Sequence, residues 1–310
     1  KDLLKTFGPK RVIDTPITES GFAGLAIGAA MTGLRPVIEF MSWNFSFVAF
    51  DQIISNASKM NYMTGGMFPV PLVMRGPNGA GPRVSSQHSH AVEALYSHFP
   101  GLIVVSPSTP YDAKGMLNRA LAGTDPVVFF ESQRLYAQAE IFEKDVPQGF
   151  YTVPEGQPAI RRQGSDVTII TLGATLYRAL EAADQLAKLG VSAEVIDLRW
   201  AVPLDYDILV QSVKKTGRVI CASDACERGS FMHTVAGTLT KACFGRLDAP
   251  PVVIGARNWI SPCAEMEPIY YPQAAWFVDA LHEQLLPLKG YAPVTNQTTG
   301  EALRRARAGI

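Results

Sequence analysis

The sequence predicts an α/β protein of two doubly wound domains, and three observations carry that expectation. Short β-branched or apolar runs alternate with longer helical patterns, as in βα units stacked on a parallel sheet. The alternation stops around residues 138–165, where EKDVPQGFYTVPEGQPAIRRQGSD gathers Pro, Gly and charge, and then it restarts. With 310 residues, 47% hydrophobic and 18% charged, the chain is long enough for two domains of about 100 to 200 residues with buried cores.

In the first domain, 1–140, strands are expected at 37–40, 70–74, 102–105 and 126–130. Helices are expected at 20–32, 47–62 and 111–121, the last after Ser108-Thr109-Pro110, a cap followed by a first-turn proline. A linker, 141–165, leads to the second domain, 166–289. Its pattern is strand 167–171, helix 176–189, strand 193–196, helix 207–214 and strand 219–222. The tail, 290–310, reads as loop ending in a short basic helix, solvated or crossing to a partner.

Bulk properties exclude several functions. Lys+Arg and Asp+Glu are both 28, so there is no net field to draw nucleic acid or an anionic membrane. Cys221, Cys226, Cys243 and Cys263 form neither a CxxC pair nor a regular framework, and they are expected to be buried thiols in a reducing compartment. No apolar run approaches the roughly 18 to 20 residues of a membrane span, and KDLLKTFGPKR lacks a signal-peptide pattern. The expected location is intracellular: cytoplasm in a bacterium, mitochondrial matrix in a eukaryote.

Gly21, Gly24 and Gly28 in GFAGLAIG do not form GxGxxG, and no GK[ST] follows, so a nucleotide loop is excluded. Inside a helix they make a bare stripe at i, i+3 and i+7, at about 1 kcal/mol per Gly relative to Ala. That cost suits a close neighbour, such as a helix of another subunit. Glu19 enters this helix. It is either an acid favoured by the dipole of the first turn or a carboxyl that exchanges a proton with a bound heterocycle. The aromatic segment IEFMSWNFSF follows a strand end, where open α/β sheets bind ligands. The Gly/Pro-rich loop RGPNGAGP leads to His88 and His90. With His98 these are three of the chain's five histidines, and proton transfer suits them better than zinc, since no Cys or acid stands at ligand spacing.

Together DTPITESGFAGLAIGAAMTGLRP, IEFMSWNFSFVAFDQIISNASKMNYMTGG, RGPNGAGPRVSSQHSH and IDLRWAVPLD with SVKKTGRVI resemble the β chain of thiamine-diphosphate-dependent E1 components of 2-oxo acid dehydrogenases, over about 11–281. The resemblance implies a transketolase-like pyrimidine-binding domain followed by a transketolase C-terminal domain. It implies that Glu19 hydrogen-bonds N1′ of the aminopyrimidine and favours the imino tautomer that generates the ylid. Phe45 would pack on the pyrimidine with Trp43 behind it, and His88 would position substrate and serve acyl transfer to lipoamide. His90, where Gln is usual, would touch the substrate pocket. A monovalent-cation (K⁺) site, mainly of backbone oxygens, would fall at Leu72, Ala120, Leu121, Gly123 and Asp125.

No GDG, the superfamily's diphosphate and Mg²⁺ motif, occurs here, so an α subunit is expected to bring it in an α2β2 heterotetramer, with an E2 acyltransferase carrying the lipoyl domain as further partner. The resemblance also implies a truncated start, an altered acidic strand end at Ala222-Ser223-Asp224-Ala225, and a tail longer than usual. The expected reaction is oxidative decarboxylation of a 2-oxo acid, pyruvate ahead of branched-chain, with reductive acylation of lipoyl-E2. The alternatives are another thiamine enzyme such as acetoin dehydrogenase, or a non-catalytic scaffold subunit.

Overall fold

The computed structural model describes residues 2–80, 84–136, 138, 141–142 and 145–295. The basic helix expected near the C-terminus lies outside them. The first domain runs α1 (Leu3–Phe7), α2 (Glu19–Met31), β1 (Val37–Glu39), a 3-10 helix (Trp43–Ala49), a π-wound segment (Gln52–Ala57), α3 (Met60–Met63), β2 (Val73–Pro77), α4 (Glu93–Ser97), β3 (Ile103–Val105), α5 (Pro110–Ala122), β4 (Val127–Glu131) and a 3-10 turn (Gln133–Leu135). The second runs β5 (Ala159–Arg162), β6 (Val167–Thr171), α6 (Thr175–Lys188), β7 (Ala193–Asp197), β8 (Trp200–Val202), α7 (Asp207–Thr216), β9 (Val219–Cys226), α8 (Phe231–Ala242), β10 (Val252–Ala256), a 3-10 turn (Ala264–Met266), α9 (Glu267–Tyr270) and α10 (Ala274–Gln284).

Local chemistry explains the helices around the site. In α2 the buried residues Ala23, Ala26, Ile27 and Ala30 repeat at helical spacing. It ends at Gly33, whose φ of +96° lets Leu34 N–H reach Ala29 O and Gly33 N–H reach Ala30 O, a Schellman closure. The glycine stripe has a local explanation at one position only: a Cβ on Gly24 would sit 3.2 Å from the Gln52 amide, whereas Gly28 faces open space.

The helix expected at 47–62 is broken instead. Trp43, Ser46 and Ala49 are all buried at a spacing of three, which is the 3-10 period, and Ser42 caps that turn by accepting from Asn44 N–H. For α5 the expected cap holds, with Thr109 Oγ1 accepting from Asp112 N–H at 3.1 Å and Pro110 in the first turn.

The two sheets have strand orders β1-β2-β4-β3-β8 and β10-β9-β6-β7-β5. Each is parallel except for its last strand, β8 and β5 respectively, which pairs antiparallel at the edge. All five residues of β6 are buried, as a strand covered on both faces requires. Two expectations need correcting. The linker 141–165 contains β5, which closes the edge of the second sheet, and β8 leaves the second domain to cap the edge of the first. Both strands cover backbone groups that would otherwise be exposed.

One apolar core crosses the boundary between the domains, joining Leu102, Val104, Val128 and Phe130 to Ile170, Ile196, Leu198, Val213 and Met232. A buried ionic cluster reinforces it. Asp112 accepts from Arg199 Nη1 at 3.1 Å and from Arg161 Nη2, while Asp197 accepts from Arg161 Nη2 at 2.9 Å and from Ser108 Oγ. Beyond α10, buried Asp279 accepts from Tyr291 OH at 2.6 Å, from Val294 N–H at 3.1 Å and from Thr295 N–H at 2.6 Å, which anchors the start of the tail.

The thiols divide. Cys221 and Cys243 are buried as expected, but Cys226 and Cys263 are exposed because β9 and the 259–263 loop end at the surface. Burial also pushes the Cys221 thiol up to about 12. A thiol reagent added to the folded chain is therefore expected to label Cys226 and Cys263 rapidly and the other two only on unfolding, as read by peptide mapping.

Candidate functional site

The site lies at the carboxyl ends of the first sheet's strands, the usual ligand edge of an open α/β sheet. Arg75 stitches that edge together. Its Nε and Nη2 donate to Glu131 at 2.6 and 2.7 Å, and its Nη1 donates to Glu39 at 2.7 Å, which joins the ends of β1, β2 and β4. The glycine-rich loop expected to carry function leaves from this point.

Phe45 projects from the 3-10 helix, half-buried, with its ring centroid 5.0 Å from that of His88. His88 Nδ1 is buried and has no hydrogen-bond partner among the described residues. Such an atom is costly unless something else satisfies it. His90 is fixed by Asn44, whose Oδ1 lies 2.5 Å from His90 Nδ1 and 3.2 Å from His90 N–H. Asn44 Nδ2 donates to Ser42 Oγ at 2.6 Å, which orients the amide so that its oxygen faces His90. The proton of a neutral His90 therefore belongs on Nδ1, leaving Nε2 as an acceptor. Burial, with the charge of His88, lowers the His90 pKa and favours that neutral form.

Glu19 opens α2, which packs on the 3-10 helix that carries Phe45. It is half-buried in this chain, so the apolar enclosure that proton exchange calls for is incomplete here. Among the described residues no hydrogen bond or ion pair joins Glu19 to the Phe45–His88 pair, and the packing of α2 on the 3-10 helix is what relates them.

Trp43 takes a different place from the one expected of a ligand residue. It is wholly buried, stacked among Phe40, Tyr96 and Phe130 at centroid distances of 4.8 to 5.2 Å, and its Nε1–H donates to Phe129 O at 3.3 Å. It props the 3-10 helix on the sheet and does not face a ligand.

The cation residues are also reassigned. Leu72 O accepts from Val127 N–H at 2.8 Å, and Ala120 O from Gly123 N–H at 3.3 Å. Leu121 O and Gly123 O both accept from Arg35 Nη1, at 2.9 and 2.5 Å. The positive charge at this helix end is thus the chain's own guanidinium. Asp125 is exposed beside a cavity of about 210 Å³ lined also by Arg119, Thr124, Glu155 and Trp200. This set of carbonyls does not fit a free monovalent cation. Among the described residues no group of three or more His, Cys, Asp or Glu could hold a metal.

Asn44, Asn78, Glu93, Asp224 and Tyr271 fix the histidine loop, and sequence reasoning gave none of them that role. Asn44 stood inside the aromatic segment, Asn78 inside RGPNGAGP and Asp224 inside the altered strand end, and no local pattern links them to one another or to Glu93 and Tyr271.

Family comparisons agree with this architecture. Residues 1–138 match the transketolase pyrimidine-binding domain, and residues 156–275 match the transketolase C-terminal domain. A pyruvate dehydrogenase E1 component subunit beta of Rickettsia felis is 44% identical over 90% of this chain and 85% of its own length. An acetoin:2,6-dichlorophenolindophenol oxidoreductase subunit beta of Cupriavidus necator is 42% identical over 89% of the chain and 80% of its own length. A 2-oxoisovalerate dehydrogenase subunit beta of Bacillus subtilis is 43% identical over 80% and 75%. Among solved structures, a split-gene transketolase described as an inactive beta4 tetramer superposes with a TM-score of 0.75 at 24% identity, covering 93% of this chain and 87% of that one, a likeness of fold. Two transketolase-type domains in this order, with near-full-length identity to these relatives, leave one conclusion: the chain belongs to the family of 2-oxo acid dehydrogenase E1 β subunits.

Proposed function

We propose that this chain works with an α subunit as a thiamine-diphosphate-dependent E1, catalysing oxidative decarboxylation of a 2-oxo acid, pyruvate first, and reductive acylation of a lipoyl group on E2. The observation that carries the reading is the meeting of the Phe45 and His88 rings, 5.0 Å apart between centroids, where the 3-10 helix that bears Phe45 packs on α2, the helix that Glu19 opens. When bound, thiamine diphosphate supplies the carbanion chemistry. Phe45 gives its ring as a flat apolar wall for a heterocycle. Glu19 would hold or pass a proton at a nitrogen of that heterocycle. His88, beside the Phe45 ring, would donate to or accept from the reacting oxygen or the incoming acyl acceptor through its imidazole. His90 presents Nε2 as an acceptor toward the substrate side.

The sequence carries no GDG motif, and in this reading the groups that hold the diphosphate and Mg²⁺ come from the partner. The α subunit supplies that half. The half-buried Glu19 and the exposed Gly21, Leu25 and Gly28 on α2 suit burial against such a partner. No described helix is long and apolar enough to cross a membrane. A compartment with a 2-oxo acid supply, the bacterial cytoplasm or the mitochondrial matrix, fits the reaction.

The substrate preference rests on the pyruvate dehydrogenase names among the relatives, and 44% against 43% identity is too small a difference to carry it alone. The test is decarboxylation by the chain co-expressed with its α subunit, with thiamine diphosphate, Mg²⁺ and an artificial electron acceptor. The expected result is turnover that needs both chains and is faster with pyruvate than with 2-oxoisovalerate. Absence of turnover from a cofactor-loaded assembly would overturn the reading in favour of a scaffold role.

A further inference from the structure

Residues 84–91, which carry both histidines, are held back against Gly79 and Ala80 at a neck formed by the Asn78 side chain and one backbone hydrogen bond. Asn78 Oδ1 accepts from Val92 N–H at 3.1 Å, and Asn78 Nδ2 donates to Glu93 Oε1 at 2.9 Å. At the same neck, Gly79 N–H donates to His90 O at 3.0 Å. Asn78 is itself fixed, since its N–H donates to Glu131 O at 2.7 Å. Glu93 is 4% exposed, and its Oε2 has no hydrogen-bond partner among the described residues.

The second domain holds the two limbs of the loop. Asp224, at the end of β9, accepts from Ala80 N–H at 3.0 Å, and Tyr271 OH donates to Ser89 O at 3.3 Å, one residue from His88. Gly79 is required for this approach. Its φ is +71°, and a Cβ there would lie 2.8 Å from Asp224 Oδ2.

We propose that Glu93 is a positioning residue for His88: through Asn78 it closes the neck of the histidine loop, while Asp224 and Tyr271 of the second domain fix the loop's limbs. The inference rests on the reading of His88 as an active-site residue and adds a dependence of that residue on docking between the domains.

Glu93 does this as an uncharged carboxyl. Burial, and then the neighbouring Asp224, push it up from 4.5 to about 8. Asp224 is raised by burial, against the opposing effects of Ala80 N–H and the charge of Arg134. Tyr270 and Tyr271 face the same carboxylate, and His90 and His88 lie on the loop itself. A raised carboxyl favours the folded loop at low pH, and that contribution is lost as pH rises through about 8.

The test measures hydrogen exchange at the amides of Gly79, Ala80, His90 and Val92 in the full α/β assembly, corrected for intrinsic rates, from pH 6.5 to 9.5, together with the pH profile of turnover. In the wild type, protection at His90 and Val92 falls as pH passes about 8, and turnover falls with it. Glu93→Gln keeps the hydrogen bond without a titrating group, so protection is retained and the alkaline loss near pH 8 disappears. Glu93→Leu and Asn78→Ala each raise exchange at these amides about tenfold. Unchanged protection in both of these variants, or the same alkaline loss in Glu93→Gln, overturns the proposal. Protection that behaves as stated in an assembly with no 2-oxo acid turnover overturns the functional reading alone.

Discussion

Glu19→Gln lowers 2-oxo acid turnover of the α/β assembly by about 100- to 10,000-fold, the range expected when a positioned proton-transfer group is removed. The fold survives the change. Glu19 is half-buried in the first turn of α2, where an acid contributes about 0.3 to 1 kcal/mol through the helix dipole, and Gln keeps its shape. The substitution therefore separates chemistry from structure. The variant should assemble with the α subunit and melt within a few degrees of the wild type, yet fail in the artificial-acceptor assay. Wild-type turnover would remove Glu19 from the mechanism and with it the proton-exchange reading of the α2 entry. Cofactor binding, measured separately by calorimetry, shows whether the loss falls on the chemical step or on occupancy.

Asp112→Ala destabilises the full chain by about 3 to 5 kcal/mol, the usual result of leaving buried charge uncompensated. Asp112 is fully buried and takes hydrogen bonds from both Arg161 and Arg199, so its removal leaves the Arg161 guanidinium with Asp197 and, among the described residues, the Arg199 guanidinium with no carboxylate, held by Gln157 O alone. The same side chain sits in the first turn of α5 behind the Thr109 cap, so the helix start loosens as well. Urea unfolding at pH 7 measures the effect. A loss below about 1 kcal/mol would show that water or rearrangement replaces the missing carboxylate and that the apolar core alone joins the two domains.

Much of the fold was legible because periodicity reports burial. The run Val167-Thr168-Ile169-Ile170-Thr171 has no polar face, and the structure places it at the centre of the second sheet with every residue buried. The small-residue pattern of α2 and the Ser-Thr-Pro entry of α5 were equally local signals, and both helices stand within one or two residues of expectation. The 47–62 segment misled because its aromatic and small residues alternate too closely to choose between spacings of three and four. Only packing of Trp43 against Phe40, Tyr96 and Phe130 selects the 3-10 start. Strand β8 was hidden for another reason: three residues followed by a proline carry no period, and their partner, β3, lies about a hundred residues earlier.

The sequence by itself determined the two-domain α/β plan and the family, because these are written in contiguous motifs, and the same motifs name Glu19, Phe45 and His88 as the candidates for chemistry. Tertiary structure decided the rest. It moved Trp43 from the ligand edge into the core, gave the expected cation carbonyls of Leu121 and Gly123 to Arg35, and brought Asn78, Glu93, Asp224 and Tyr271 around one loop. The physical reason is the range of the interactions. Burial patterns repeat every two to four residues and can be read along the chain. A hydrogen bond between Ala80 and Asp224 depends on how two domains dock, and no stretch of sequence contains both ends of it.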